Sequence, residues 1–144
     1  VAGGGGGSVS GGGPPKYHGS FSITINSGTA YTNNEIVELS LDGGTGAYKM
    51  SISNSSDFSG AVKENYQINK TWILSAGDGA KTVYVKFYNQ ENSESDPISK
   101  NIMVDTVPPE VTITSIKDSY SPDEEIIISG TTEPNSQITL SIDD

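Results

Sequence analysis

Thr71-Trp72-Ile73-Leu74-Ser75-Ala76-Gly77-Asp78-Gly79-Ala80-Lys81-Thr82-Val83-Tyr84-Val85-Lys86-Phe87 reads as a strand, a tight turn and a second, longer strand. Trp72 and Leu74 recur two apart before the break. Val83, Val85 and Phe87 do the same after it, alternating with Thr82, Tyr84 and Lys86. Successive side chains of an extended chain point to opposite faces, so each strand gains one apolar and one polar face. Gly77-Asp78-Gly79 supplies the backbone freedom of a reversal. Trp72 is predicted at the centre of the core, because its large apolar area dominates burial, with Leu74, Val83, Val85 and Phe87 beside it. The alternative for Trp72 is exposure as a stacking surface for carbohydrate.

The same alternation runs outward in both directions. Phe21, Ile23 and Ile25 form one stripe, ended by Ser27-Gly28; Val37, Leu39 and Leu41 form another, ended by Asp42-Gly43-Gly44. Tyr48, Met50 and Ile52 make a third, and Ile98, Ile102 and Val104 follow the long strand. The turn-rich run Asn54–Gly60 precedes a short edge strand near Val62–Ile68. Six or seven short strands, separated by turn signals and without helical period, predict an all-β chain folded as a β-sandwich.

The flanks differ in composition. Nine of the seventeen glycines lie before Ser20, and residues 1–19 read as a Gly/Ser/Pro-rich flexible tether. Glycine loses much backbone entropy on ordering, and nothing there offers compensating burial. Tight packing of the glycine run, as a polyglycine helix or against a partner chain, is the alternative. The folded domain is placed at residues 20–106. Residues 107–109 follow as a proline linker, whose fixed φ angles keep the connector extended. A fresh alternation then begins: Val111 and Ile113, Ile126 and Ile128, and Ile138, Leu140 and Ile142. Three strands do not enclose a sandwich core, so residues 110–144 read as the start of a second module, truncated or completed by another chain. The first residue is Val1 rather than Met, so the expectation is a processed or incomplete N-terminus.

Charge narrows the function classes. The net charge is −10, with eight lysines and no arginine. Phosphate backbones are held by clustered cations, so nucleic acid is not an expected partner. The acidic surface also disfavours anionic lipid, and no apolar run approaches the length of a membrane span. With no cysteine, disulfides, thiolate catalysis and thiolate zinc sites are all ruled out. The single histidine, His18, lies in the N-terminal stretch and reads as a bystander. Asp123 and Glu124 form a carboxylate pair suited in principle to acid–base work, but nothing around them constrains that reading. The chain is not expected to be an enzyme.

The Trp72-x-Leu74 strand, the Gly77-Asp78-Gly79 turn, Lys81–Phe87 and the Asp105-Thr106-Val107-Pro108-Pro109 exit resemble bacterial immunoglobulin-like (fibronectin-III-like) repeat modules of secreted and cell-surface proteins. Met50–Asn54 followed by Asp57-Phe58-Ser59-Gly60 fits the same modules, and the likeness covers roughly residues 21–109. A weaker likeness extends over 110–144, through Gly130-Thr131-Thr132-Glu133-Pro134-Asn135-Ser136. The hairpin after the long strand departs from the usual Asp-x-x-Gly-Asn pattern, reading Asn89–Pro97 with more acid. The resemblance implies an immunoglobulin-like sandwich, tandem repetition, extracellular display and no catalytic residues.

Candidate ligand sites follow from residue type. Asn92, Glu94 and Asp96 are spaced by two in the acidic hairpin, which offers three oxygens to a calcium ion; the spacing is not that of an EF-hand. A second calcium candidate lies at the junction, where Asp105 and Glu110 flank the prolines and Asp78 would approach. No other cofactor is expected. Tyr48, Tyr66, Tyr84 and Tyr88 are candidate stacking platforms for a surface glycan. Asn54-Ser55-Ser56 and Asn69-Lys70-Thr71 match the N-glycosylation pattern, which reads as accidental in a bacterial protein. The expected function is a non-catalytic extracellular spacer in a stalk, surface layer or filament. Its expected partners are neighbouring modules or copies of the same chain. The alternatives are an adhesin or carbohydrate-binding module, or an accessory domain of a secreted hydrolase.

Overall fold

A computed structural model describes residues 12–108, 110–115, 120–125, 127–132 and 137–139. The chain divides into two compact units, Val1–Thr106 and Val107–Asp144. The described residues are all-β, with no α-helix.

Among the described residues, the first unit carries eight strands in two sheets. One sheet has the order β1-β3-β6, formed by Ser22–Ile25, Ile36–Asp42 and Asn69–Ile73, all antiparallel. The other has the order β2-β8-β7-β4-β5, formed by Tyr31–Thr32, Ile98–Val104, Gly79–Tyr88, Lys49–Ser53 and Lys63–Asn65. Its pairs are antiparallel except β2, which runs parallel to β8. Ile23, Ile25, Val37, Leu39 and Leu41 from the first sheet join Met50, Ile52, Val83, Val85, Phe87, Ile102 and Val104 from the second in one core. A single core shared by two sheets is consistent with a β-sandwich.

The chain leaves one sheet for the other through Asn26–Gly28, three successive residues with positive φ (44°, 57° and 93°). Glycine and asparagine tolerate that conformation best. The Asn26 side chain adds a tether, accepting a hydrogen bond from the Glu38 amide at 2.9 Å. The reversal delivers β2 to the open edge of β8, where the amides of Met103 and Asp105 donate to Ala30 and Thr32 carbonyls.

Leu74, Val83, Val85 and Phe87 are buried. Trp72, predicted at the centre, is only partly buried and packs against the core from its margin. It pairs with Val37, a buried residue, so its ring does face inward. However, β6 is the edge of a three-stranded sheet, and an edge residue lacks cover on one flank. The centre is Phe87, fully buried, with Phe21 at 5.5 Å and Tyr66 at 5.8 Å between ring centroids. The third predicted stripe also needs correction, because Tyr48 precedes β4 and is half exposed, whereas Met50 and Ile52 are buried.

A further correction concerns the N-terminal stretch. Residues 1–19 read as tether, but Tyr17 is 9% exposed and belongs to the core cluster. A phenol offers both apolar area and a hydrogen-bonding tip, and both are used here. Residues 1–11 lie outside the described residues.

In the second unit, β9 (Thr112–Ser115) pairs antiparallel with β10 (Ser129–Thr131), with a shift in register between Ser129 and Gly130. Gly130 sits so close to β9 that a Cβ there would lie 2.4 Å from the Thr112 carbonyl oxygen. Val111, Ile113, Ile127 and Ile138 are exposed. Of the predicted third stripe, Leu140 and Ile142 lie outside the described residues, as does Ile126 of the second.

Candidate functional site

The richest side-chain chemistry gathers at one end of the first unit, where the β3–β4 turn, the β7–β8 loop and the N-terminal arm meet. The β7–β8 loop is built by its own polar side chains. Asn89 Oδ1 accepts from the Ser93 amide at 2.9 Å, and the Asn92 amide donates to the Asn89 carbonyl at 3.0 Å. Asn92 sits at φ 64°, a conformation asparagine accepts more readily than most residues. Ser95, 1% exposed, extends the pairing of β7: its amide donates to the Phe87 carbonyl and its hydroxyl accepts from the Phe87 amide.

Each of the three calcium candidates in this loop meets a different lysine. Lys63 donates to Asn92 Oδ1 at 2.8 Å, Lys86 lies 3.5 Å from Glu94, and Lys16 pairs with Asp96. The acidic run therefore alternates with cations. Among the described residues no group of three or more His, Asp or Glu is placed to hold a metal ion. At the junction, Asp78 Oδ1 accepts from both the amide and the hydroxyl of Thr106, at 3.1 and 2.8 Å, and so fastens the end of the first unit. Glu110 belongs to the other unit. Within the loop, each of the three candidate oxygens is thus engaged by its own lysine.

The arm docks through Tyr17. Its amide donates to the Glu94 carbonyl at 2.9 Å, and its hydroxyl reaches the Gly43 and Thr45 carbonyls at 2.6 and 3.1 Å. The hydroxyl has one proton, so these two acceptors share it. Burial, with Tyr66 and Asp42 nearby, raises the Tyr17 pKa above the ordinary tyrosine value. The hydrogen bond and charge of Lys16 lower the Asp96 pKa, and Asp96 raises that of Lys16 in return. Both of those groups are solvent-exposed, so the pair orients the arm and adds little stability. His18, next to Tyr17, is exposed.

The four candidate tyrosines do not form a common platform. Tyr66 is structural: its hydroxyl donates to the Leu41 carbonyl at 3.0 Å and accepts from the Gly43 amide at 3.1 Å. Tyr88 is buried beneath Lys63, whose ammonium lies 3.7 Å from the ring centre. Tyr84 meets the edge of Phe58 at 6.5 Å. Only Tyr48 is half exposed, beside a shallow depression lined by Gly46, Ala47 and Asn89–Glu91.

Trp72 lines a cleft of about 410 Å³ at the flank between β5 and β6, with Ile52, Asn54, Ser59, Val62 and Glu64. Its indole N–H donates to Asn54 Oδ1 at 2.8 Å, and Asn54 Nδ2 donates to the Ile73 carbonyl at 2.9 Å. The first glycosylation-pattern asparagine is therefore engaged in closing the flank. Asn69, in the second, accepts from Ser40 at 3.3 Å. Asp123 and Glu124 lie in an exposed turn, where Glu124 accepts from the Ser121 amide. Among the described residues, no helix is long and apolar enough to cross a membrane.

Two aromatic residues with structural contacts escaped the sequence reading. Tyr17 was hidden by its glycine-rich neighbours, although it is the one tyrosine in that stretch. Phe58, in a turn with φ 57°, covers the outer face of the five-stranded sheet, holding Lys86 4.9 Å from its ring centre. The signal for both was an aromatic residue amid small polar ones.

The class these features define is an all-β protein whose first unit is a two-sheet structure with ion-paired loops. No protein-family model, curated protein or solved structure matches the chain.

Proposed function

We propose that this chain is a non-catalytic, extracellular spacer built from immunoglobulin-like modules, acting in a stalk, surface layer or filament of a bacterial cell surface. The observation that carries the reading is where the chain enters and leaves the first unit. It enters at the end that holds the β3–β4 turn and the β7–β8 loop, through Tyr17. It leaves at the opposite end, where Val104 pairs with Gly79 and Thr106 is held by Asp78. A ten-residue β7 separates the two ends by about 33 Å at 3.3 Å per residue. Opposed entry and exit let modules be strung in line, each adding its length to the chain.

Two further features support the same reading. The strand order, three strands in one sheet and five in the other with a short N-terminal strand parallel to β8, supports the immunoglobulin-like reading. The acidic β7–β8 loop is neutralised within the unit by Lys63, Lys86 and Lys16. The second unit, residues 107–144, is read as part of a following module, entered through Pro108-Pro109.

The test is location and reach in the source organism. Antibody to the first unit should label intact cells, and surface proteolysis should release the epitope. Recovery of the protein solely from the cytosol would overturn the proposal. A glycan array is expected to be blank; binding lost on Tyr48→Ala would favour an adhesin instead.

A further inference from the structure

The N-terminal arm is joined to three separate parts of the first unit. Lys16 pairs with Asp96, and the Tyr17 amide bonds to Glu94, both in the β7–β8 loop. The Tyr17 hydroxyl bonds to Gly43 and Thr45 in the β3–β4 turn. The Tyr17 ring lies 5.1 Å from Phe21, which in turn contacts Phe87 at the centre of the core. Downstream of the arm comes β1, a four-residue strand at the edge of its sheet, paired only with β3. Its first residue, Ser22, lies opposite Asp42, next to the same Gly43. A pull from the N-terminal side therefore meets Lys16 and Tyr17 before it meets the short edge strand.

We propose that Lys16–Tyr17 is a mechanical latch. Tension arriving from the N-terminal side passes into the β3–β4 turn and the β7–β8 loop, and β1 is loaded only once the latch opens. Each bond at Tyr17 runs to backbone anchored by a neighbouring strand, so the load is shared between both sheets. The physiological use of the latch rests on the spacer reading; its mechanics do not.

The chain has no cysteine, so pulling handles can be attached at chosen pairs of engineered cysteines. Two versions of the full 144-residue chain are compared under constant load: Gly13→Cys with Pro108→Cys, which pulls through the latch, and Ser20→Cys with Pro108→Cys, which bypasses it. The expected result is a longer folded lifetime with the Gly13 handle. Tyr17→Phe keeps the ring and removes the phenol bonds. It should shorten that lifetime about tenfold, the effect of one buried hydrogen bond, and leave the Ser20-handle lifetime unchanged. Lys16→Ala, which leaves the core intact, should act in the same direction more weakly. Equal lifetimes with the two handles, or equal shortening by Tyr17→Phe in both, would overturn the latch and make Tyr17 an ordinary core contact. Failure of the latch in a protein found at the cell surface removes this inference alone. A working latch in a purely cytosolic protein removes the spacer reading alone.

Discussion

At the scale of single residues, the end of the first unit is set by close fits. A Cβ on Gly43 would lie 2.6 Å from the Ala47 Cβ, 2.9 Å from the Phe87 ring and 3.1 Å from the Tyr66 ring. Overfilling a packed site of this kind costs about 1–3 kcal/mol, so Gly43→Ala should lower the unfolding free energy by that amount, seen as a lower urea midpoint at unchanged slope. A midpoint equal to the wild type would show that the turn gives way freely. The arm should also respond to pH in a defined sense. Because the Tyr17 pKa is raised, its contribution is complete below the ordinary tyrosine value of about 10 and lost as pH rises through the folded value. The raised Lys16 pKa acts in the same direction. The lowered Asp96 pKa has the opposite sense, its small contribution being lost as pH falls through the folded value. In an NMR titration, contacts between the Tyr17 and Phe21 rings should persist through neutral pH and vanish as the Tyr17 phenol ionises. Their loss well below that ionisation would contradict the assignment.

At the scale of elements, the flank between β5 and β6 shows how an open edge is kept from pairing. Lys70 lies opposite Leu39, a fully buried residue, so its side chain projects to the core face of β6. It crosses to β5 and meets Glu64 at 2.6 Å, in a half-buried ion pair that joins the two sheets. An inward charge on an edge strand penalises addition of another strand there. Lys70→Val should therefore promote self-association, visible as concentration-dependent sedimentation under conditions where the wild type does not change. Sedimentation identical to the wild type would place the protection elsewhere. The same geometry explains Trp72, which faces inward from an uncovered edge and completes its cover through Asn54.

For the whole molecule, the pairings that define the fold are far apart in sequence: Ile36 with Ile73, and Tyr31 with Met103. Chain closure over such separations must precede the contacts that stabilise it, so sheets of this kind fold in roughly milliseconds to seconds. Trp72, the sole tryptophan, reports this directly by stopped-flow fluorescence after dilution from urea. Refolding within microseconds would contradict the topology. The acidic surface, with net charge −10, disfavours chance association, while lysines offset the carboxylates of the β7–β8 loop.

Alternation of apolar side chains made most strands of the first unit legible in advance, because period two follows from backbone geometry alone. The inward faces of β1, β3, β7 and β8 could be read that way, and so could the burial of Val83, Val85 and Phe87. Three matters depended on tertiary structure. Whether Trp72 is covered depends on which strand lies beside β6. The two-residue β2 is too short to carry a pattern and exists because Asn26–Gly28 turns the chain toward β8. The oxygens of Asn92, Glu94 and Asp96 look like one ligand set in sequence, but three lysines from β5, β7 and the arm reach them separately. Local order is written in neighbouring residues, whereas cover and charge pairing are supplied by distant ones that only folding brings near.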